Sequence, residues 1–172
     1  MGDDYERSVF TPGDESELSR VAVLRSGLKL AAVICMDSEF PETIRLLALH
    51  GAQLVLVSTA LVGGPQESCL PLRVIPTRAL ENHVHICYAN YNGLANPGSE
   101  VNKSPYVGRS AIIGPNGYDL ARAASWEAHH RERELWDQIL VANVEPHCYL
   151  ADVERNPYLT ARRPALYSSL VA

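Results

Sequence analysis

The sequence predicts an α/β fold, and two observations carry that prediction. Residues 28–34 and 54–57 are apolar runs, interrupted only by Lys29, and the segment between them has apolar residues at helical spacing. Continuous apolar runs are typical of parallel strands that are covered on both faces of a sheet. A strand, a helix and a second strand in this order predict one β-α-β unit.

The helix of this unit should begin near Pro41 and end before Gly51. Proline fits the first helical turn because no N–H group is needed there, and glycine commonly follows the last turn. Between them, Ile44, Leu47 and Ala48 recur at helical spacing. The helix therefore connects the two apolar strands.

Further elements are predicted along the rest of the chain. "PTRALEN" predicts a short helix with Arg78 and Glu81 facing outward, and "VHICYAN" predicts a strand that ends in a turn at residues 92–93. "GRSAIIG" and "YDLARA" flank Pro-Asn-Gly, which is typical of a β-hairpin. "QILVANVEP" predicts another strand. The opening residues, to about position 17, and the Pro- and Arg-rich tail predict irregular structure.

Composition favours one globular domain over residues 1–172. Hydrophobic residues make up 47% of the chain, charged residues make up 20%, and the formal net charge is −5. No Lys/Arg cluster indicates nucleic-acid binding, and no apolar run approaches the roughly 18 residues of a membrane span. The polar, acidic start is unlike a signal peptide. We therefore expect a cytoplasmic protein.

The cysteine and histidine spacings do not indicate a metal or redox site. None of the four cysteines forms a C-x-x-C pair. His129-His130 and His147-Cys148 lack the spacing and partners that are typical of metal ligands. The sequence therefore predicts neither a bound metal nor another cofactor, and it predicts that the thiols are reduced.

Cys35 directly follows the first apolar run. Functional groups in open α/β sheets gather beyond the carboxyl ends of strands, and a sharp strand-to-helix turn can expose a nucleophile there. The positive end of the following helix would favour a thiolate. An inert core cysteine is the alternative. Of the other thiols, Cys87 is predicted in the core, Cys69 at a loop or helix edge and Cys148 in irregular structure.

Five stretches of the chain form a recognisable set when they are taken in order. They are "YERSVFTPGD", "VICMDSEFPE" with the helix and strand after it, "RALENHVHICYANYNG", "VGRSAIIGPNGYDLARA" and "RNPYLTARRPALY". Together they resemble segments of the nitrilase superfamily, the carbon–nitrogen hydrolases, and "VICMDSEFPE" resembles that family's nucleophile region. The resemblance covers nearly the whole chain, and the cysteine motif is its most specific part.

The resemblance implies a fold and a chemistry. Family members form an α-β-β-α sandwich, of which this chain would be the C-terminal portion, with the early strands and helices missing. They cleave non-peptide C–N bonds of small amides or nitriles through a cysteine thioester and commonly form homo-oligomers. By position, Cys35 is the nucleophile, Glu6 is a second catalytic Glu, and the Met36 backbone N–H is an oxyanion donor.

Two catalytic positions of the family have no match. Its general-base Glu and its oxyanion-binding Lys lie upstream of the segment that resembles "YERSVF", which here begins at Tyr5. Lys29 and Lys103 match neither position. We therefore expect the chain alone to be inactive. A non-catalytic binding or interaction protein on the same half-fold is an alternative, and an unrelated α/β binding domain is a more remote one.

Three residues, Thr59, Ala60 and Glu39, are predicted to influence substrate binding. Thr59 and Ala60 end the strand after the nucleophile helix, at the edge where pockets form. Family members that bind N-carbamoyl amino acids tend to have arginines where this chain has Ser38 and Glu39. An acidic side chain there predicts neutral or amine-bearing amides as substrates, unless Glu39 faces away.

Other polar residues near these positions have structural interpretations. Asp37, Glu42 and Arg45 are predicted to cap and pair around the turn rather than to take part in the chemistry. Asn90 and Ser110 could either shape the pocket or satisfy strand ends, and the sequence leaves both possibilities open.

Overall fold

The computed structural model describes residues 8–18, 20–63, 69–94, 105–124 and 138–171. The strands within them are β1 (Ala22–Val23), β2 (Lys29–Ile34), β3 (Leu54–Thr59), β4 (His85–Asn90), β5 (Asn92–Leu94), β6 (Pro105–Val107), β7 (Ala111–Ile113) and β8 (Asp119–Arg122). Six of them form a mixed sheet in the order β1-β2-β3-β4-β7-β8, and β5 pairs with β6 in a separate ladder. The helices are α1 (Pro41–Leu49), α2 (Ile75–Asn82) and α3 (Leu150–Arg155).

The predicted β-α-β unit is confirmed. Strand β2 pairs with β3 in parallel and β3 pairs with β4 in parallel, while β1, β7 and β8 are antiparallel to their neighbours. Helix α1 begins at Pro41, and Gly51 follows it with a φ of 89°. That left-handed conformation suits glycine and ends the helix. The predicted hairpin is confirmed as β7 and β8.

The hydrophobic core lies between one face of the sheet and helices α1 and α2. Each core strand contributes every second residue to this face, as the two-residue period of a strand requires. The largest fully buried apolar side chains are Ile44, Leu47, Val55, Val57, Ile75, Val84, Ile86 and Ile113. Leu159 of the tail packs against this core, and His83 Nε2 lies 2.6 Å from the Asn156 carbonyl oxygen. The tail is therefore anchored on the helix side.

The opposite face of the sheet is partly exposed. Ala32 and Leu56 are exposed, and Ile34, the last residue of β2 and the one before Cys35, is 72% exposed. The prediction that both faces of β2 are covered is therefore wrong for the described residues. The apolar run correctly predicted a strand, but it could not show how much of the covering surface the described chain supplies.

Three other predictions need correction. No strand is assigned in residues 138–145, where Ile139 is 91% exposed and Val141 is 82% exposed. A strand requires hydrogen bonds to a neighbour, and β-branched residues alone do not provide one. Asn92 and Gly93 lie in β5 rather than in a turn. The tail, which begins where α3 ends at Arg155, is not wholly irregular, because it contains the two 3₁₀ turns Pro164–Leu166 and Ser168–Val171.

No described helix combines the length and the apolar character that a membrane span requires.

His85 is a fully buried polar residue at the start of β4. Its ring contacts the Tyr149 ring edge-on, with the ring centroids 5.4 Å apart. Burial lowers the pKa of His85. The backbone of Gln53 opposes this shift, but neither ring nitrogen has a hydrogen-bond partner of good geometry among the described residues. The neutral imidazole is therefore the form that fits the fold.

We expect acid to destabilise the chain partly through His85. Below about pH 6.5, the ordinary histidine pKa, the unfolded chain binds a proton that the folded chain binds only at lower pH. The contribution of His85 to stability is therefore complete above that pH and declines as the pH falls. Urea unfolding at pH 7.5 and 5.5 should show a smaller loss of stability in His85→Leu than in the wild type.

His147→Gln is the control, because His147 is exposed. This variant should lose as much stability on acidification as the wild type. Equal pH dependence of His85→Leu and the wild type would contradict the prediction.

Candidate active site

Cys35 lies at the first position after β2, at the carboxyl edge of the parallel strands. It opens a 3₁₀ turn, Cys35–Glu39, which we call the elbow turn. The φ angle of Cys35 is 45°, in the left-handed region. A residue other than glycine adopts this conformation at a cost of roughly 1–3 kcal/mol, and such residues cluster at functional sites.

Hydrogen bonds within the chain stabilise the elbow turn at both ends. The Ile34 N–H donates to the Asp37 carboxylate at 3.1 Å, and the Ser38 hydroxyl donates to the Cys35 carbonyl oxygen at 2.7 Å. Ser38 is 1% exposed. Asp37 thus caps the turn as predicted, and the buried Ser38 hydroxyl fixes the carbonyl of the strained residue.

Arg78 connects the elbow turn to α2. Its guanidinium donates to the Glu39 carbonyl oxygen at 2.6 Å and pairs with the Glu81 carboxylate at 3.0 Å. The Arg78 side chain is only 12% exposed, so the prediction that it faces outward is wrong. The short helix packs against the sheet, which places this side chain beneath the elbow turn instead of in solvent.

The Cys35 thiol is half-buried and contacts Thr59. The Thr59 hydroxyl donates to Cys35 Sγ at 3.0 Å. Strand register explains the contact: Ile34 is paired with Ser58, so the next residue of each chain segment lies at the same level. The two side chains therefore meet where the parallel strands end.

Tyr88 lies in β4, on the face of the sheet that packs on the core and that also carries Thr59. It is paired with Val57, and Thr59 is two residues further along β3, so the two side chains are diagonal neighbours. Burial raises the pKa of Tyr88 to about 12, and a hydrogen bond with the Thr59 side chain opposes that rise. The charges of Cys35 and Glu39 raise it further. These four side chains thus share one environment.

Asn90 and Ser110 satisfy backbone groups at the strand ends. Asn90 Oδ1 accepts from the Leu61 N–H at 2.9 Å, and its Nδ2 donates to the Gly108 carbonyl oxygen at 2.7 Å. The Ser110 hydroxyl accepts from the Asn90 N–H at 2.9 Å and lies 3.1 Å from the Asn90 carbonyl oxygen, where it can donate. The sequence left open whether Asn90 and Ser110 shape a pocket or satisfy strand ends, and their observed contacts satisfy strand ends.

The structure brings most of the predicted site residues to one place. Met36 and Glu39 lie in the elbow turn, Thr59 contacts the thiol, and Ala60 is exposed directly after β3. The first N–H groups of a 3₁₀ turn have no carbonyl partner within the turn. The Met36 N–H is one of these groups in the turn that begins at Cys35. Glu6 lies outside the described residues, and its position is not tested.

The other cysteines lie elsewhere. Cys69 and Cys148 are exposed and Cys87 is half-buried in β4. The predicted place of Cys87 in the core is wrong, because Ile86 and Tyr88 supply the core face of β4 and Cys87 lies on the opposite face. Cys148 lies in the 3₁₀ turn Pro146–Tyr149 and not in irregular structure. Burial raises the pKa of Cys87, and a hydrogen bond with Glu145 raises the pKa of Cys148. The described ranges contain no cluster of three or more His, Cys, Asp or Glu residues that could hold a metal ion. The pair His129-His130 lies outside these ranges.

Two features of the site had no clear signal in the sequence. Nothing in the sequence singled out Tyr88, because its relation to Thr59 depends on the register of β3 and β4. The role of Arg78 depends on how α2 packs, although its pairing with Glu81 followed from helical spacing. Only the abrupt change from an apolar strand to Cys35 suggested a strained turn.

A sequence profile of the carbon-nitrogen hydrolase family matches residues 1–147. The protein named "Hydrolase in pqqF 5'region" of Pseudomonas protegens is 34% identical over 167 residues, which is 97% of this chain and 51% of that protein. An (R)-stereoselective amidase of a Pseudomonas species is 32% identical over 86% of this chain and 49% of its own length. The chain thus spans about half the length of these curated relatives.

Solved structures agree with this similarity. A carbon-nitrogen hydrolase from Helicobacter pylori has a TM-score of 0.81 at 24% identity, covering 99% of this chain and 58% of its own, which supports the fold alone. A variant of the amidase from Nesterenkonia sp. has a TM-score of 0.68 at 32% identity, covering 95% of this chain and 51% of its own. The fold is therefore part of the nitrilase-type α/β fold.

Proposed function

The chain belongs to the carbon–nitrogen hydrolase family, and we propose that it supplies the nucleophile of an amidase- or nitrilase-type active site. The observation that carries this proposal is the strained Cys35, which lies at the carboxyl edge of the sheet and accepts a hydrogen bond from Thr59. A thiol in an elbow between a strand and a turn is accessible to a substrate and fixed in direction.

The proposed reaction with an amide proceeds in two steps. Cys35 Sγ attacks the carbonyl carbon and gives up its proton, and the C–N bond breaks as the nitrogen leaves with a proton, as ammonia or an amine. The acyl group remains on sulfur as a thioester. Water then adds to the thioester carbon, the C–S bond breaks, the acid is released, and the thiol regains a proton.

Met36 and Glu39 have different roles in this proposal. The Met36 N–H lies in the first turn after the nucleophile and would donate to the oxyanion that forms during the attack. The Glu39 carboxylate acts at a longer range and makes the pocket unfavourable for anionic substrates. Its effect on the pKa of Tyr88 supports a position near the thiol.

The proposal includes catalytic incompleteness of the 172-residue chain by itself. No residue in it takes the place of the family's base Glu or its Lys by motif, although Glu6 matches the second Glu. General-base catalysis contributes roughly a hundred- to ten-thousand-fold. Acylation of Cys35 by an activated ester needs less assistance from a base than deacylation by water. We therefore expect acylation to occur and deacylation to be slow.

A similar protein supports a covalent mechanism. In a solved structure of the Nesterenkonia amidase, the acetamide moiety of fluoroacetamide is covalently added at the active-site cysteine. For this chain we infer the same type of chemistry at Cys35, with small amides or nitriles as substrates and an assembled homo-oligomer as the working form.

Non-catalytic association is the second candidate function. The exposed apolar side chains of Ile34 and Leu56 on one face of the sheet favour it, because soluble proteins seldom leave such a face uncovered. Association and catalysis are compatible, since Cys35 lies at the end of the same strand. Covalent labelling separates them, because an interaction protein has no need of a reactive Cys35.

We expect Cys35 to be alkylated faster than the other three cysteines in the native chain at neutral pH. The pKa values of Cys87 and Cys148 are raised, so less thiolate is present on those residues. Cys69 is exposed and serves as an internal reference. Brief iodoacetamide treatment followed by peptide mapping measures the four rates.

The same treatment at a fully denaturing concentration of urea is the control, because unfolding removes the differences between sites. Circular dichroism must first show that the chain is folded. Preferential native labelling of Cys69, with Cys35 unmodified, would count against an accessible nucleophile.

We expect a nitrophenyl ester to acylate Cys35 once per chain without steady turnover. The measurement is nitrophenolate release, followed by ammonia release from a panel of amides and nitriles. The ester should give a burst of about one equivalent, and the amides and nitriles should give ammonia at the level of the blank. Cys35→Ala should lose the burst, and Cys69→Ala should keep it.

Steady amide hydrolysis that disappears in Cys35→Ala would show that the chain is catalytically sufficient. In that case another residue supplies the base, and Glu6 is the first to replace. Absence of any burst in the folded wild type would contradict the nucleophile role itself.

We expect the charge of Glu39 to select against anionic acyl groups. Nitrophenyl esters with neutral, carboxylate-bearing and trimethylammonium-bearing acyl chains test this in the burst phase. The anionic ester should acylate Cys35 about five-fold more slowly than the neutral one, a modest electrostatic effect at a partly solvated site.

Glu39→Gln should reduce this difference, and Glu42→Gln, which removes the same charge from the first turn of α1, should leave most of it. Faster acylation by the anionic ester in the wild type would refute the proposed selection.

A further inference from the structure

Resting on the proposed function, we propose that Thr59 is a positioning residue that orients the Cys35 nucleophile. The sequence predicted only that Thr59 would contact substrate. The structure instead places its hydroxyl 3.0 Å from Cys35 Sγ, as a donor to the sulfur.

The backbone makes this contact reproducible. Thr59 is the last residue of β3 and is paired with Asn90, which itself bonds to the backbone of two neighbouring segments. The Tyr91 N–H donates to the Thr59 carbonyl oxygen at 3.2 Å. Thr59 therefore cannot shift without disturbing two strands, and its β-branched side chain has few rotamers.

This arrangement has a chemical consequence. An alkyl thiol can rotate about its Cα–Cβ bond, and only some orientations direct a sulfur lone pair at a bound carbonyl carbon. A hydrogen bond from one fixed side limits that rotation and reduces the loss of freedom during attack. Removing the Thr59 hydroxyl should therefore slow reactions of Cys35 while leaving the fold intact.

The experiment measures the rate of Cys35 alkylation by iodoacetamide and of the ester burst in the full chain. We expect Thr59→Val to reduce both rates roughly five- to ten-fold, as the loss of one hydrogen bond allows, and Thr59→Ser to stay within about two-fold of the wild type. Rescue by serine distinguishes the hydroxyl from the packing of the side chain.

Thr77→Val is the matched control. Thr77 donates its hydroxyl to the Arg73 carbonyl oxygen at 2.8 Å on the exposed side of α2, away from Cys35. This variant should react at the wild-type rate. Urea midpoints of all variants identify any loss of rate that comes from unfolding.

A wild-type rate in a folded Thr59→Val would overturn the role of Thr59. If the wild type reacts with no ester at Cys35, the proposed function fails instead.

Discussion

The left-handed backbone of Cys35 is the conformation around which the other contacts of the site are arranged. It costs roughly 1–3 kcal/mol relative to an ordinary conformation. Bonds from Ile34 to Asp37, from Ser38 to the Cys35 carbonyl and from Arg78 to the Glu39 carbonyl each contribute about 1 kcal/mol. One of these three bonds comes from the helix that carries Arg78, so the packing of that helix against the sheet contributes to the stability of the elbow turn and connects the core to Cys35.

Parallel pairing determines which residues can meet at the thiol. Because β2, β3 and β4 run in the same direction, their carboxyl ends share one edge of the sheet. Cys35, Thr59 and Asn90 lie at consecutive strand ends for this reason. The antiparallel β7 enters beside them and brings Ser110 to the same edge, where it bonds to Asn90. The site is therefore a product of topology as well as of residue type.

The sequence predicted the elements of the core well and their environment poorly. Apolar runs and helix end signals located β2, α1 and β3, because burial and local backbone chemistry are recorded in neighbouring residues. The exposure of Ile34 and the burial of Arg78 depend on what packs above them, which local patterns do not record. Likewise, Thr59 was placed near the site by its strand end, but its bond to Cys35 required the register of two strands.

The exposed face of β2 bears on the rigidity of the nucleophile. Ile34 is 72% exposed and directly precedes Cys35, and its N–H is part of the bonds that hold the elbow turn. Covering apolar surface contributes about 25 cal/mol for each Å² removed from water. A surface that packed on Ile34 and Leu56 would thus stabilise the end of the strand that carries the thiol. In the proposed function, association on this face would therefore be coupled to catalysis at its edge through the same strand, because packing on Ile34 would restrict the backbone from which Cys35 projects.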